Sequence, residues 1–178
     1  MPLWMWIVVA VLAVAAWRLG TAWWKNRGQR VVTCPENHRP AGVAVNAFHA
    51  SVTAVTGAPS LRLSSCSRWP EKAGCGQECL AQIVAAPEDC LVRNIVDHWL
   101  AGKTCANCGQ PFGAISWAGS PPALLSSDKK SVEWRQVPAD LLSKVLDTSL
   151  PICFACHTAI TMVREHPELV IDRHRARD

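Results

Sequence analysis

The sequence lacks the motifs that most often mark a catalyst. It has no glycine-rich phosphate loop, no His-Glu-x-x-His and no Gly-x-Ser-x-Gly. Nucleotide-dependent, zincin-type and serine-hydrolase chemistry are therefore without their usual residues. Acids are missing from residues 1–30, where Arg18, Lys25, Arg27 and Arg30 lie. The other 14 Lys and Arg balance the 14 Asp and Glu of the rest of the chain, so the whole basic excess of +4 belongs to the N-terminal segment. Nucleic-acid binding ordinarily shows as a basic face on the folded domain, and a domain of zero net charge is not expected to bind it. Tyrosine is absent beside nine tryptophans. An even cysteine count is absent too: nine cysteines cannot all pair as disulfides.

What the N-terminal segment has instead is a hydrophobic run. Leu3 to Leu19 is apolar except for Arg18, and apolar character resumes through Trp24. About 20 such residues span the hydrocarbon of a bilayer as a helix. Trp4 and Trp6 stand at one end and Trp17, Trp23 and Trp24 toward the other, where the two interfacial belts of a spanning helix fall. Arg18 can snorkel toward the headgroups. A cleaved signal peptide would carry positive charge before its apolar core, and Met1 to Trp6 has none, although Ala13-Val14-Ala15 mimics a cleavage site. A buried core helix fits less well, because the run is apolar all round. We expect residues 1–30 to be a single membrane anchor with a basic juxtamembrane segment. By the positive-inside rule, residues 25–178 then lie on the cytoplasmic side. That compartment keeps thiols reduced, so the cysteines are expected to be ligands rather than bridges.

Four cysteines stand in two close pairs, Cys105-x-x-Cys108 and Cys153-x-x-Cys156. Each pair chelates from one side, and together they offer the four thiolates of a tetrahedral zinc site. Gly109 supplies the positive-φ freedom that a turn after the first pair needs. Pro151 precedes the second pair, and spacing predicts a helix over Ala155–His166, ended by Pro167. The pair at its N-terminus is then biased toward thiolate. Strands are expected at Ile115–Trp117 and Ser131–Val137, and a short helix from Leu141 to about Asp147.

A second group comprises Cys34, Cys66, Cys75 and Cys79. Strands are expected at Val31–Thr33 and Leu61–Ser64, the latter delivering Cys66. Gly42–Ala47 reads as a weak strand or as the start of a helix through Ala54. Gly74 and Gly76 let the backbone bend around Cys75, and Cys79 is expected to begin a helix over Gln77–Ala86. Zinc fits this group on general grounds; an iron–sulfur cluster is the alternative, since four Cys thiolates hold those too. His38 is a spare candidate ligand, read as solvated. Pro87-Glu88-Asp89 predicts a helix start, with Leu91, Ile95, Val96 and Trp99 as its core face to Leu100. Cys90 is expected to be a core thiol and His98 a surface residue.

A knuckle, a hairpin and a Cys pair opening a helix together resemble the treble-clef or zinc-ribbon class of zinc finger, over Cys105 to about His166, with a helix added before the second pair. The resemblance implies a structural zinc at Cys105, Cys108, Cys153 and Cys156. Treble clefs serve many functions and the class names none. Cys153-x-x-Cys156-His157 also matches the attachment signature of c-type haem, which keeps an electron carrier open as the rival reading. The expected fold is α+β: a transmembrane helix at 1–30, a first cysteine-rich subdomain at 31–102, a zinc-finger-like subdomain at 103–168 and a solvated tail at 169–178. The expected function is that of a membrane-anchored, zinc-binding interaction or assembly module, an accessory subunit of a membrane complex. It is not expected to be an enzyme, because both cysteine groups close on Cys alone whereas a catalytic zinc keeps an open position. A thiol-redox enzyme would need a reactive cysteine beyond the ligands, and Cys90 is the one spare.

Overall fold

A computed structural model describes residues 2–72 and 74–169. The expected tail therefore lies, from residue 170 onward, outside the described residues. The chain forms two compact units, residues 1–95 and 96–178.

In the first unit, α1 (Leu3–Asn26) runs for 24 residues, about 36 Å at 1.5 Å per residue. No proline or acid interrupts it. It is long and apolar enough to cross a membrane, and nearly all of its surface is bare of other protein. Ala15, Leu19, Ala22 and Asn26, recurring at helical spacing, are its less exposed positions in the C-terminal half. There α2 (Ala47–Ala54) packs along it, and the Arg18 guanidinium donates to the Val55 carbonyl at 3.4 Å. Gly28, at φ +106°, ends the helix and turns the chain into a strand.

That strand, β1 (Gln29–Thr33), pairs antiparallel with β2 (Pro40–Val45), matching Gln29 to Ala44 and Thr33 to Pro40. β3 (Leu63–Cys66) adds to the other edge of β2. Alternation sends Val32, Ala41, Val43, Val45 and Leu63 to one face, where Ile83 of α3 (Leu80–Ala85) completes the core. The ambiguous Gly42–Ala47 stretch is thus strand and then helix: Asn46 caps α2 by accepting from the His49 N–H at 2.9 Å. β3 begins two residues later than expected, which puts Cys66 in the strand itself.

Two expected helix starts are corrected. The turn at 87–90 is not helical, and α4 spans Val92–Leu100. Val31 donates to the Cys90 carbonyl at 2.8 Å and Arg30 bridges to Leu91, so strand pairing holds residues that capping signals would give to a helix. α3 begins at Leu80 rather than Gln77, because Gln77 sits at φ +57° and turns the chain instead. Arg30 is fully buried. It donates to the carbonyls of Lys25 at 2.8 Å and Pro87 at 3.2 Å, tying the end of α1 to the turn before α4. Burial lowers its pKa, against the pull of Cys90 and Glu88.

In the second unit, a three-stranded antiparallel sheet runs in the order β5 (Ser131–Glu133), β4 (Ala123–Leu125), β6 (Leu150–Ile152). Ile115–Trp117 is not a strand. Trp117 stacks edge-on against Trp134 at 5.1 Å and its carbonyl accepts from Arg135, so this segment packs through its side chain rather than through a ladder. The strand expected over 131–137 stops at Glu133, where a 3₁₀ turn takes over. The chain continues through α5 (Leu142–Thr148) to β6 and then α6 (Phe154–Glu165). β6 carries no strand signal of its own, being Leu-Pro-Ile beside a turn. Its edge position on β4, with Pro151 opposite Leu124, tolerates the proline.

Candidate metal centre

Cys105 opens a tight turn. Its N–H donates to the Gln110 carbonyl at 2.8 Å, and the Gly109 N–H returns to the Cys105 carbonyl at 2.8 Å. Gly109 stands at φ +72°, which only glycine adopts freely. This curl carries Cys105 and Cys108 on one side. β6 brings the second pair: it runs into Cys153, the residue before α6, and Cys156 lies in the first turn of that helix. The Ala106 N–H donates to the Pro151 carbonyl at 2.8 Å and fastens the curl to β6.

The four sulfurs of Cys105, Cys108, Cys153 and Cys156 lie within 4.8 Å of one another. Among the described residues this is the one set of three or more Cys, His or acidic side chains brought to such range. The sulfurs of Cys108 and Cys153 are 3.8 Å apart. Ligands around one zinc, each about 2.3 Å from it, stand at about this separation. None of the nine cysteines is bridged. Cys105 and Cys156 are buried, Cys153 half-buried and Cys108 exposed, so the centre has one face toward solvent. It also lies in the unit's core, against Ala123 and Ile152.

The surroundings suit anionic sulfur. The Cys153 N–H donates to the Cys105 sulfur at 3.3 Å, and the Asn107 amide donates to the Cys156 sulfur at 3.3 Å. Burial opposes ionisation of Cys105, but the N–H groups of Cys108, Cys153 and Asn107 outweigh it and bring its pKa down to about 6. For Cys156 the Asn107 amide favours the thiolate. Burial and the other three sulfurs prevail and push its pKa up to about 12. Four thiols this close release their first proton readily and hold their last, because thiolates repel one another. A divalent cation removes that repulsion. The donor set is four soft sulfurs with N–H donors behind them, and it fits a thiophilic ion.

His157 is not among the gathered ligand groups. Its Nε2 is 3.9 Å from Glu133, and its Nδ1 is buried without a partner among the described residues. Asn107 was not singled out from the sequence, although its place between two cysteines was the available signal.

Cys34, Cys66, Cys75 and Cys79 line one cavity of about 390 Å³ in the first unit, without gathering as the C-terminal four do. Arg68, also unforeseen, donates to the Cys34 sulfur at 3.0 Å. N–H donation by Glu36, aided by Arg68 and opposed by partial burial, lowers the Cys34 pKa. Burial raises that of Cys79, with Cys66, Cys75 and Cys34 adding to it. His38 is exposed and His98 likewise. Cys90 packs at the edge of the first core, where burial raises its pKa against the pull of Arg30.

Comparison of the chain with family models, curated proteins and solved structures finds no match.

Proposed function

We propose that the chain is a membrane-anchored zinc-binding interaction or assembly module: an accessory subunit of a membrane complex, with its cysteine-rich part on the cytoplasmic side. The observation that carries the zinc reading is the meeting of four sulfurs within 4.8 Å, from a turn and from the start of a helix more than 40 residues on. Tetrahedral zinc needs that donor set and that closeness, and a site closed by four thiolates is structural rather than catalytic. The order of knuckle, β4–β5 hairpin and Cys-bearing helix start supports a treble-clef-like class, with α5 and β6 added before the second pair.

The membrane reading rests on α1. Trp4, Trp6, Trp17, Trp23 and Trp24 are all exposed on it, in the two belts that interfacial tryptophan favours. Arg27 lies over the Trp24 ring at 3.3 Å, a cation–π contact suited to the headgroup level. Covalent haem at Cys153, Cys156 and His157 fits the geometry less well. It would take two of the four sulfurs into thioethers and leave Cys105 and Cys108 without an ion.

The test is to extract the full chain from membranes in mild detergent, measure its metals and its assembly mass, and repeat after a strong chelator. Tightly held zinc, and a complex larger than the 19.4 kDa chain in its micelle that falls apart on chelation, is the expected result. A chain recovered in the aqueous fraction, or one without zinc, rejects the reading.

A further inference from the structure

The geometry points to a second metal centre, built by Cys34, Cys66, Cys75 and Cys79 around their shared cavity and holding a thiophilic metal, as a zinc ion or as an iron–sulfur cluster. This rests on the metal reading of the C-terminal four cysteines proposed above, because the chain uses the same backbone device twice.

At the C-terminal centre, the curl is defined by three features: the Cys105 N–H on the Gln110 carbonyl at 2.8 Å, the Gly109 N–H on the Cys105 carbonyl at 2.8 Å, and Gly109 at φ +72°. The same three recur at Cys34. Its N–H donates to the Arg39 carbonyl at 2.9 Å, the His38 N–H donates to the Cys34 carbonyl at 2.8 Å, and His38 stands at φ +55°. The two turns correspond in these bonds position by position, Cys34 to Cys105 and His38 to Gly109. In each, the N–H groups two and three positions on favour the thiolate: Asn107 and Cys108 at one, Glu36 and Asn37 at the other. The turn that presents a metal-binding thiolate in the second unit is thus built again in the first, with Asn37 where the other has its second cysteine. It is held even at the expense of a left-handed histidine, a conformation that non-glycine residues avoid and that clusters at functional sites.

The remaining sulfurs come from three further elements. Cys66 ends β3, Cys75 lies between Gly74 and Gly76, and Cys79 precedes α3. All four residues line the cavity with Arg68. The Arg68 guanidinium reaches the Cys34 sulfur at 3.0 Å and is itself held by Glu36 at 3.5 Å and Glu71 at 3.8 Å. A fixed cation against one sulfur suits a centre whose four thiolates exceed the charge of the metal they bind. The sulfurs border the cavity rather than crowding one point. Four cysteine thiolates hold either an iron–sulfur cluster or, when drawn together at one point, a single zinc.

The test uses the full chain in detergent, purified without oxygen. Zinc, iron and acid-labile sulfide are counted in the wild type and in three variants: Cys34→Ser with Cys75→Ser, Cys105→Ser with Cys108→Ser, and Cys90→Ser as a control. The expected result is two metal centres per chain, one lost from each double variant and neither from the control. Colourless protein with zinc alone identifies an ion in the first unit; iron, sulfide and broad visible absorption identify a cluster. Metal content unchanged by Cys34→Ser with Cys75→Ser overturns the proposal, as does a Cys105→Ser/Cys108→Ser protein with no metal left. Loss confined to the latter variant leaves the C-terminal zinc standing and refutes the second centre alone. Should the first double variant fail to fold, alkylation of the wild type decides. Chelator-dependent protection of Cys34, Cys66, Cys75 and Cys79 supports the centre, and chelator-independent labelling refutes it.

Discussion

Asn107 offers the sharpest test of how the C-terminal centre works. Its amide donates to the Cys156 sulfur at 3.3 Å, and burial and the other three sulfurs make that sulfur reluctant to ionise. Replacing Asn107 by Ala removes the donor and touches no ligand. A hydrogen bond to a charged group contributes about 1.5–3 kcal/mol. At about 1.4 kcal/mol per tenfold, that is roughly 10- to 150-fold in zinc affinity. Loss of a residue that supports a metal ligand typically costs about 10- to 100-fold, so the two routes agree. Asn107 is exposed, and water will restore part of what the amide supplied. The low end, about tenfold, is therefore expected. Competition against a chromophoric chelator on the full chain measures it directly. Asn107→Asp should weaken binding further, since a carboxylate beside four thiolates adds repulsion. Equal zinc affinity in Asn107→Ala and wild type would refute the idea that N–H donation holds the last thiolate in place.

The other predictions concern pH, packing, backbone and membrane. In the metal-free protein the Cys105 thiol, lowered from 9.0 to about 6, stabilises the fold fully above pH 9. That contribution shrinks as pH falls toward 6 and is lost below it. Cys156, raised to about 12, stabilises while protonated, below 9, and withdraws as pH rises toward 12. Thiolate absorbance should accordingly show a step near pH 6 that vanishes in Cys105→Ser. Ile152, fully buried against the centre, should cost about 2–5 kcal/mol when cut to Ala, read as a lower melting temperature with zinc bound. His38→Gly should raise stability by about 1 kcal/mol by relieving the left-handed φ of +55°, and a lower denaturation midpoint would contradict the turn described here. Leu12→Arg places a charge in mid-α1, a change that costs about 2.5–3.5 kcal/mol for insertion. It should shift the chain from the carbonate-resistant membrane fraction toward the soluble one.

The sequence by itself determined the apolar N-terminal helix and the C-terminal cysteine pairs, for the same reason. Both signals are local: an apolar run without breakers is legible as a helix from its own residues, and two cysteines three apart can reach one ion from one side wherever the chain carries them. The helix over 154–165 was legible within a residue because its periodicity and terminal Pro167 lie in one stretch. Tertiary structure decided the rest. Residues 87–91 carry good capping signals, yet pairing with β1 keeps them out of α4. Ile115–Trp117 reads as a strand, but its tryptophan is more useful stacked on Trp134. Leu150–Ile152 carries no strand signal, and becomes one because β4 offers it an edge. The donors that tune the sulfurs, Asn107 and Arg68, act across 49 and 34 residues of chain. Contacts at such separations depend on how sheets and turns fold together; the place of Asn107 between two cysteines is a local hint of its role, and nothing local marks Arg68.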